Sequence, residues 1–252
     1  MLFSNASFIG VDPTAGRKPF TFAALDANCR LLALETGELE EVLAFVGGQQ
    51  AATVAVNAPS TPNRGLVKKR LEAQSLTPSH PRGDMRVAEY ELRRRGILVS
   101  PTPGRIESCA EWMQLGFMLY HKLASMGCAQ YPAEAAAHQW LETHPHAAFC
   151  ALLEQSPLSK PSLEGRLQRQ LILYERGVGI RDPMDFFDEI TRHRLVKGIL
   201  PVEMVYTPEQ LDAIVAAYTA FAAGKTPEEV LSVGEREEGR IVLPVRELKE
   251  RY

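Results

Sequence analysis

Apolar residues come in short bursts over the first 60 residues and at helical spacing over most of the rest. Phe8-Ile9-Gly10-Val11 is a β-rich run that stops at Asp12-Pro13. Phe20 to Leu25 makes a second run after the turn-forming Ala15-Gly16-Arg17. Arg30 to Leu34 makes a third after Asp26-Ala27-Asn28, a natural hairpin connection. Leu39, Val42, Leu43 and Val46 then recur at helical spacing, and Gly47-Gly48 ends that helix. Ala52 to Val56 is continuously apolar, the pattern of a strand covered on both faces, and it runs into Asn57-Ala58-Pro59. An antiparallel three-strand start followed by a crossover to a buried strand predicts a mixed-sheet α/β fold.

Residues 60 to 86, rich in Pro, Ser, Arg and Gly, leave the sheet as a long excursion. Asp84 is placed to cap a helix from about Arg86 to Arg95, closed by Gly96, and Ile97 to Ser100 reads as a short strand. Ser108-x-x-Glu111 has the spacing of a capping box and opens a helix with Trp112, Leu115, Leu119 and Leu123, which ends at Gly127. Gln139 to Glu142 predicts a strand stopping at Thr143-His144-Pro145. The second half is mainly helical: Ser162 to Gly177, a helix opened by Asp182-Pro183 and running towards Gly198, and another from the Thr207-Pro208-Glu209-Gln210 cap through Ala223. Arg240 to Leu243 is a last strand. There is no internal repeat. The expectation is one α/β domain over 1–252, with an insertion and helical excursion over about 61–130 and additional helices over about 155–205.

Composition narrows the class. With 45% hydrophobic and 23% charged residues, the 252-residue chain is not disordered, collagen-like or a disulfide scaffold. No apolar run reaches the ~18 residues of a membrane span. Met1 to Asn5 has neither a basic nor a long apolar region, so no signal peptide is expected and a cytoplasmic protein is. Cys29, Cys109, Cys128 and Cys150 form no Cys-x-x-Cys and read as buried free thiols. Net charge is −3, yet the nine basic and four acidic residues between Arg64 and Arg95 give that stretch +5. This is either a phosphate footprint or a solvated face.

Three carboxylates carry candidate chemistry. Asp12 ends the first strand, where a carboxylate is held rigidly yet reaches solvent or metal, although such an Asp also serves simply as a turn residue. Glu142 is followed by His144 and His146. Strand periodicity puts all three on one side if the extended form persists through Pro145, which offers a divalent-ion ligand, a zinc trio or a plain charged strand end. Asp212 lies on the last long helix, beside a face of very small side chains (Ala213, Ala216, Ala217, Ala220) that lets the backbone approach a sheet. The bland account of Asp212 is the helix dipole. Together, carboxylates converging from separate strand ends bind Mg²⁺ through oxygen, and paired ions in such sites cleave phosphodiesters. Gly10-x-Asp12 lacks the Gly-Lys-Ser/Thr of a Walker loop, and no Gly-x-Gly-x-x-Gly follows a strand.

In this order, Gly10-Val11-Asp12, Val54-Ala55-Val56-Asn57-Ala58-Pro59, Arg86-x-x-Glu89-x-Glu91-Leu92-Arg93-Arg94, Glu142-x-His144-Pro145 and Leu211-Asp212-Ala213-x-x-Ala216-Ala217 resemble the DUF429 family, described as predicted nucleases of the ribonuclease H-like fold. The resemblance implies a mixed five-stranded sheet flanked by helices, with an acidic Mg²⁺ or Mn²⁺ site holding Asp12, Glu142 and Asp212, and nucleic acid, DNA or RNA, as partner. Arg86 and Glu89 match an Arg-x-x-Glu/Asp element. Arg86 is then a phosphate contact and Glu89 a fourth acid, or the two form a buried salt bridge. Relatives carry Asp-Ala-Pro where this chain has Asn57-Ala58-Pro59. Asparagine offers a carbonyl oxygen without charge, so Mg²⁺ is held more weakly. The leading expectation is therefore a metal-dependent nuclease using Asp12, Glu142 and Asp212 with Asn57 and Glu89. Lys68, Lys69, Arg86 and Arg93 would serve as phosphate contacts. The alternatives are a catalytically impaired binding or scaffold protein and an actin- or sugar-kinase-like nucleotide phosphate binder.

Overall fold

From Ser7 to Val56 the chain folds as its pattern dictates. The computed structural model describes residues 7–73, 84–134 and 136–252; the Met1 to Asn5 opening and Arg82 of the basic stretch lie outside them. β1 (Ser7–Pro13), β2 (Phe20–Leu25) and β3 (Leu31–Gly37) form an antiparallel meander. The Asp26 carboxylate builds the β2–β3 turn by accepting N–H bonds from Asn28 and Arg30 at 2.8 and 2.9 Å. α1 (Leu39–Gly47) crosses to β4 (Ala52–Val56), which lies parallel to β1.

Among the described residues three α-helices follow before the sheet resumes: α2 (Leu66–Ala73), α3 (Val87–Arg94) and α4 (Glu111–Ser125). β5 (Ala129–Gln130) and β6 (His138–Thr143) come next, β6 running parallel to β4. Then come α5 (Pro145–Leu153), α6 (Leu163–Glu175), the single turns α7 (Asp185–Asp188) and α8 (Arg192–Val196), and the long α9 (Pro208–Lys225). β7 (Leu231–Glu235) and β8 (Gly239–Leu243) close the chain as an antiparallel pair, with β8 parallel to β6. The strand order is β3-β2-β1-β4-β6-β8-β7, and β5 also pairs with β6.

The alternation of side chains along the strands sorts the core into two layers. Ile9, Val11, Phe22, Val54 and Val56 pack with Val42, Val46, Leu119 and Leu123 of α1 and α4 on one face. Phe8, Ala23, Leu25, Ala55 and Leu141 pack with α5 and α9 on the other. The central strands are thus covered twice, as the continuous apolar run of β4 requires. α9 begins on a full capping box: Thr207 Oγ1 accepts from the Gln210 N–H at 3.3 Å and Gln210 Oε1 from the Thr207 N–H at 2.9 Å. No helix among the described residues is long and apolar enough to cross a membrane.

Several expectations are corrected. The five-stranded sheet has eight strands among the described residues, because β5, β7 and β8 extend it around β6. Ile97 to Ser100 pairs with no strand; Ile97 and Val99 are buried and Leu98 is exposed, but the Val99 carbonyl accepts from the Arg93 guanidinium instead of a ladder. α4 starts one turn past Ser108, with Ala110 at its N-cap, so the Ser108-x-x-Glu111 box does not form. The single helix expected towards Gly198 is broken into α7 and α8. Pro145 does not carry β6 onward: His144 caps α5, its Nδ1 accepting from the Ala147 N–H at 3.1 Å, and Pro145 takes the first helical position. Glu142, His144 and His146 therefore do not share an extended strand face, and the zinc trio has no geometric basis.

Candidate functional site

Asp12 is placed by β1 and Asp212 by α9, and one glycine sets how near those elements come. A Cβ at Gly10 would lie 2.0 Å from the Ala213 carbonyl oxygen and 2.2 Å from the Ala217 nitrogen. Only a residue without a side chain permits this approach. The small side chains of Ala213, Ala216, Ala217 and Ala220, all fully buried, make it equally possible from the helix side. Asp12 follows Gly10 by two residues and so faces the same side of the sheet, while Asp212 precedes the contacting Ala213. The sequence pattern thus delivers two carboxylates to one place.

Both are nearly buried, at 4% and 6% exposure. Burial, reinforced by the charge of Asp212, pushes the Asp12 carboxyl up to about 8, against the opposing hydrogen bond from Asn57 and the charge of Lys160. Burial likewise raises Asp212, against Lys160 and Arg169. Asn57 follows directly on β4, its N–H bonded to the Val11 carbonyl at 2.8 Å, and its Nδ2 donates to Asp12 Oδ1 at 2.6 Å. Lys160, in the loop between α5 and α6, donates to Asp212 Oδ2 at 2.6 Å and is 44% exposed. One cavity of about 460 Å³ contains these groups and also Glu209, His144, His146, Arg169, Glu142, Arg86, Glu89, Arg93 and Trp112 in its wall.

The remaining sequence-predicted residues form a second cluster in that wall. Arg86 is 2% exposed, and each of its guanidinium nitrogens is hydrogen-bonded. Nη2 donates to Glu142 Oε1 at 2.5 Å, Nη1 to Glu142 Oε2 at 3.0 Å and to the Glu238 carbonyl at 2.9 Å, and Nε to Glu89 Oε1 at 2.7 Å. Glu142 Oε2 accepts in addition from the Ser60 N–H at 2.8 Å, and Glu89 from the Thr102 N–H at 3.0 Å and the Thr102 hydroxyl. Burial alone lowers an arginine, yet Glu142 and Glu89 outweigh it and hold Arg86 firmly charged. Arg86 and Glu89 thus form the buried salt bridge that stood as one of their two readings, and Glu142 joins it. Asp12 bonds Asn57 and shares the cavity with Asp212, whose charge acts on it, while Glu142 and Glu89 meet Arg86. Among the described residues no three His, Cys, Asp or Glu side chains cluster as metal ligands.

Of the basic candidates, Arg93 lines the cavity, whereas Lys68 and Lys69 are exposed on α2 outside its wall. His144 is lowered to about 3 by burial and by His146, so it is a neutral cap rather than a base. The Cys150 thiol lies 3.7 Å from His146 Nε2 and burial pushes it up to about 11, which leaves it without nucleophilic character at neutral pH. All four cysteines are buried and free. Lys160, Arg169, Glu209, Trp112 and Glu238 escaped the sequence reading. Glu238 has no exposed surface, and its carboxylate accepts from the N–H groups of Arg64, Leu66 and Val87 at 2.9, 3.1 and 3.0 Å. No local pattern marks Lys160 or Glu238, because both act through partners distant in sequence.

No curated protein and no solved structure matches the chain. A family described as a protein of unknown function, DUF429, matches residues 10–238, a span from the glycine that admits α9 to just short of β8, and the chain belongs to that family.

Proposed function

We propose that the protein is a divalent-metal-dependent hydrolase of phosphodiester bonds in nucleic acid, built on a ribonuclease H-like sheet. The observation that carries the reading is the buried Asp12–Asp212 pair, set at the end of a central strand by a helix seated directly on Gly10. Five strands, β3-β2-β1-β4-β6, have the mixed pairing that the resemblance implies, and they support the fold assignment. Four free thiols suit a reducing compartment, hence the cytoplasm.

The donor set fits Mg²⁺ or Mn²⁺. Asp12 and Asp212 supply hard carboxylate oxygens and Asn57 a neutral carbonyl oxygen, which favours these ions over softer ones. When bound, such an ion polarises a phosphoryl oxygen and acidifies water. Asp12 and Asp212 would hold it, and Asn57 orients the Asp12 carboxylate through Nδ2. Lys160 is the cation that offsets Asp212 in the free protein. Arg93 and Arg169 bring positive charge to the cavity for a phosphate, and Glu142 positions the surrounding loops through Arg86. The second reading, a binding protein with a weakened site, is favoured by Asn57, which contributes no charge.

Titration with Mg²⁺ and Mn²⁺ separates the two. The proposed hydrolase gains thermal stability with either ion and cleaves nucleic acid only in its presence; Asp12→Asn and Asp212→Asn lose both responses while keeping the far-UV spectrum of the wild type. A wild type that responds to metal yet cleaves no DNA or RNA supports the binding protein. No response to metal removes the site altogether.

A further inference from the structure

Resting on that reading, the substrate class is written in the part of the cavity wall that the carboxylate pair does not use. Of the two tryptophans, Trp140 packs on Tyr120 at 4.8 Å between ring centroids. Trp112 instead lines the cavity, its ring half-buried against the core beneath α4. Its position is set by close packing one helical turn on. A Cβ at Gly116 would lie 2.2 Å from the Ala58 Cβ, so this face of α4 rests on the segment that continues from Asn57. The indole therefore stands beside the strand end that holds Asn57 against Asp12.

Arg93 adds a fixed cation to the same cavity. Its Nε and Nη2 both donate to the Val99 carbonyl, at 2.9 and 2.7 Å, which sets the guanidinium plane and leaves Nη1 for a ligand. A guanidinium fixed in this way suits phosphate, and an aromatic ring suits the face of a base. A base inside a duplex has both faces covered by its neighbours, whereas an unpaired base offers one. The cavity, about 460 Å³, has the scale of a small-molecule site and not of a duplex groove. We propose that Trp112 and Arg93 form a nucleotide subsite next to the carboxylate pair, in which an unpaired base stacks on the indole and an adjoining phosphate meets Arg93, so that the substrate is single-stranded.

Fluorescence anisotropy tests this with a labelled ten-nucleotide oligo-dT, the matching oligo-U and a ten-base-pair duplex, in EDTA so that nothing is cleaved. The wild type binds at least one single strand more tightly than the duplex, and the two strands separate DNA from RNA preference. Trp112→Ala weakens single-strand binding about tenfold or more, within the range of one lost base–aromatic stack, while Trp112→Phe retains most of it. Arg93→Gln weakens binding and flattens its salt dependence. Single-strand affinity unchanged in Trp112→Ala, preference for the duplex, or no binding of either single strand overturns the proposal. The Trp112→Phe protein guards against a folding defect in Trp112→Ala. Loss of single-strand binding in Trp112→Ala, in a protein whose wild type shows no metal-dependent cleavage, keeps the subsite and removes the hydrolase. Metal-dependent cleavage with unaltered single-strand affinity in Trp112→Ala does the reverse.

Discussion

Asp12 is the residue at which charge, burial and function meet. In the metal-free protein its carboxyl is pushed up to about 8 from an ordinary value of 3.8, first by burial and then by Asp212. An acid whose folded-state pKa is raised binds more protons folded than unfolded between those values. Its contribution to stability is therefore present at low pH and is lost as pH rises towards 8. Asp12→Asn removes that loss. Its melting temperature should exceed that of the wild type at pH 8.5 in EDTA, with the gap closing towards pH 4; a variant less stable than the wild type at pH 8.5 would contradict the burial argument. Lys160 works in the opposite direction, as the partner of Asp212 at 2.6 Å. Lys160→Met should lower metal-free stability at pH 8 and raise the apparent affinity for Mg²⁺, by about tenfold for each ~1.4 kcal/mol of competition removed. Calorimetric titration reads that affinity, and weaker Mg²⁺ binding in the variant would show that the ammonium does not compete with the ion.

At the scale of elements, the contact of α9 with β1 decides whether the two carboxylates meet. Gly10→Ala places a methyl group into the Ala213 carbonyl and the Ala217 nitrogen, backbone atoms that cannot move without moving the helix. Overpacking of this kind typically costs ~1–3 kcal/mol. Chemical denaturation should show that loss, and metal-induced stabilisation should fall even where the variant folds, because Asp212 rides on the displaced helix. Half of this contact was legible in the sequence: the alanines at helical spacing imply close approach to a sheet, and Thr207-Pro208-Glu209-Gln210 fixes where the helix begins, whereas Gly10 read only as part of the first strand. Where local patterns had two meanings, the reading failed. Pro145 signals both the end of a strand and the first turn of a helix, and the free carbonyls of a strand at Ile97 to Ser100 needed a neighbour that Arg93 replaced. Lys160 and Glu238 were illegible for a different reason. Their partners lie 52 residues away for Lys160 and as far as 174 for Glu238, and neither spacing follows a helix or strand period.

Across the whole molecule, the Arg86 network joins segments that the sheet alone does not tie. The guanidinium bridges the start of α3, the end of β6 through Glu142 and the turn before β8 through the Glu238 carbonyl. Glu238 in turn accepts from the backbone leading into α2 and α3. Removing one partner of a buried pair leaves the other uncompensated, a loss of ~3–5 kcal/mol, whereas replacing the group together is far milder. Arg86→Met should therefore unfold at lower urea than the wild type. The triple change Arg86→Met, Glu89→Gln, Glu142→Gln should recover part of the deficit at pH 8. Glu142→Gln alone then distinguishes the two roles open to that residue. If Glu142 holds the loops through Arg86, the variant is destabilised in EDTA and still gains stability with Mg²⁺. If Glu142 is instead a metal ligand, its stability in EDTA stays near that of the wild type and the gain with Mg²⁺ disappears. With both carboxylate oxygens already accepting from Arg86 and one also from Ser60, the first outcome is the one expected.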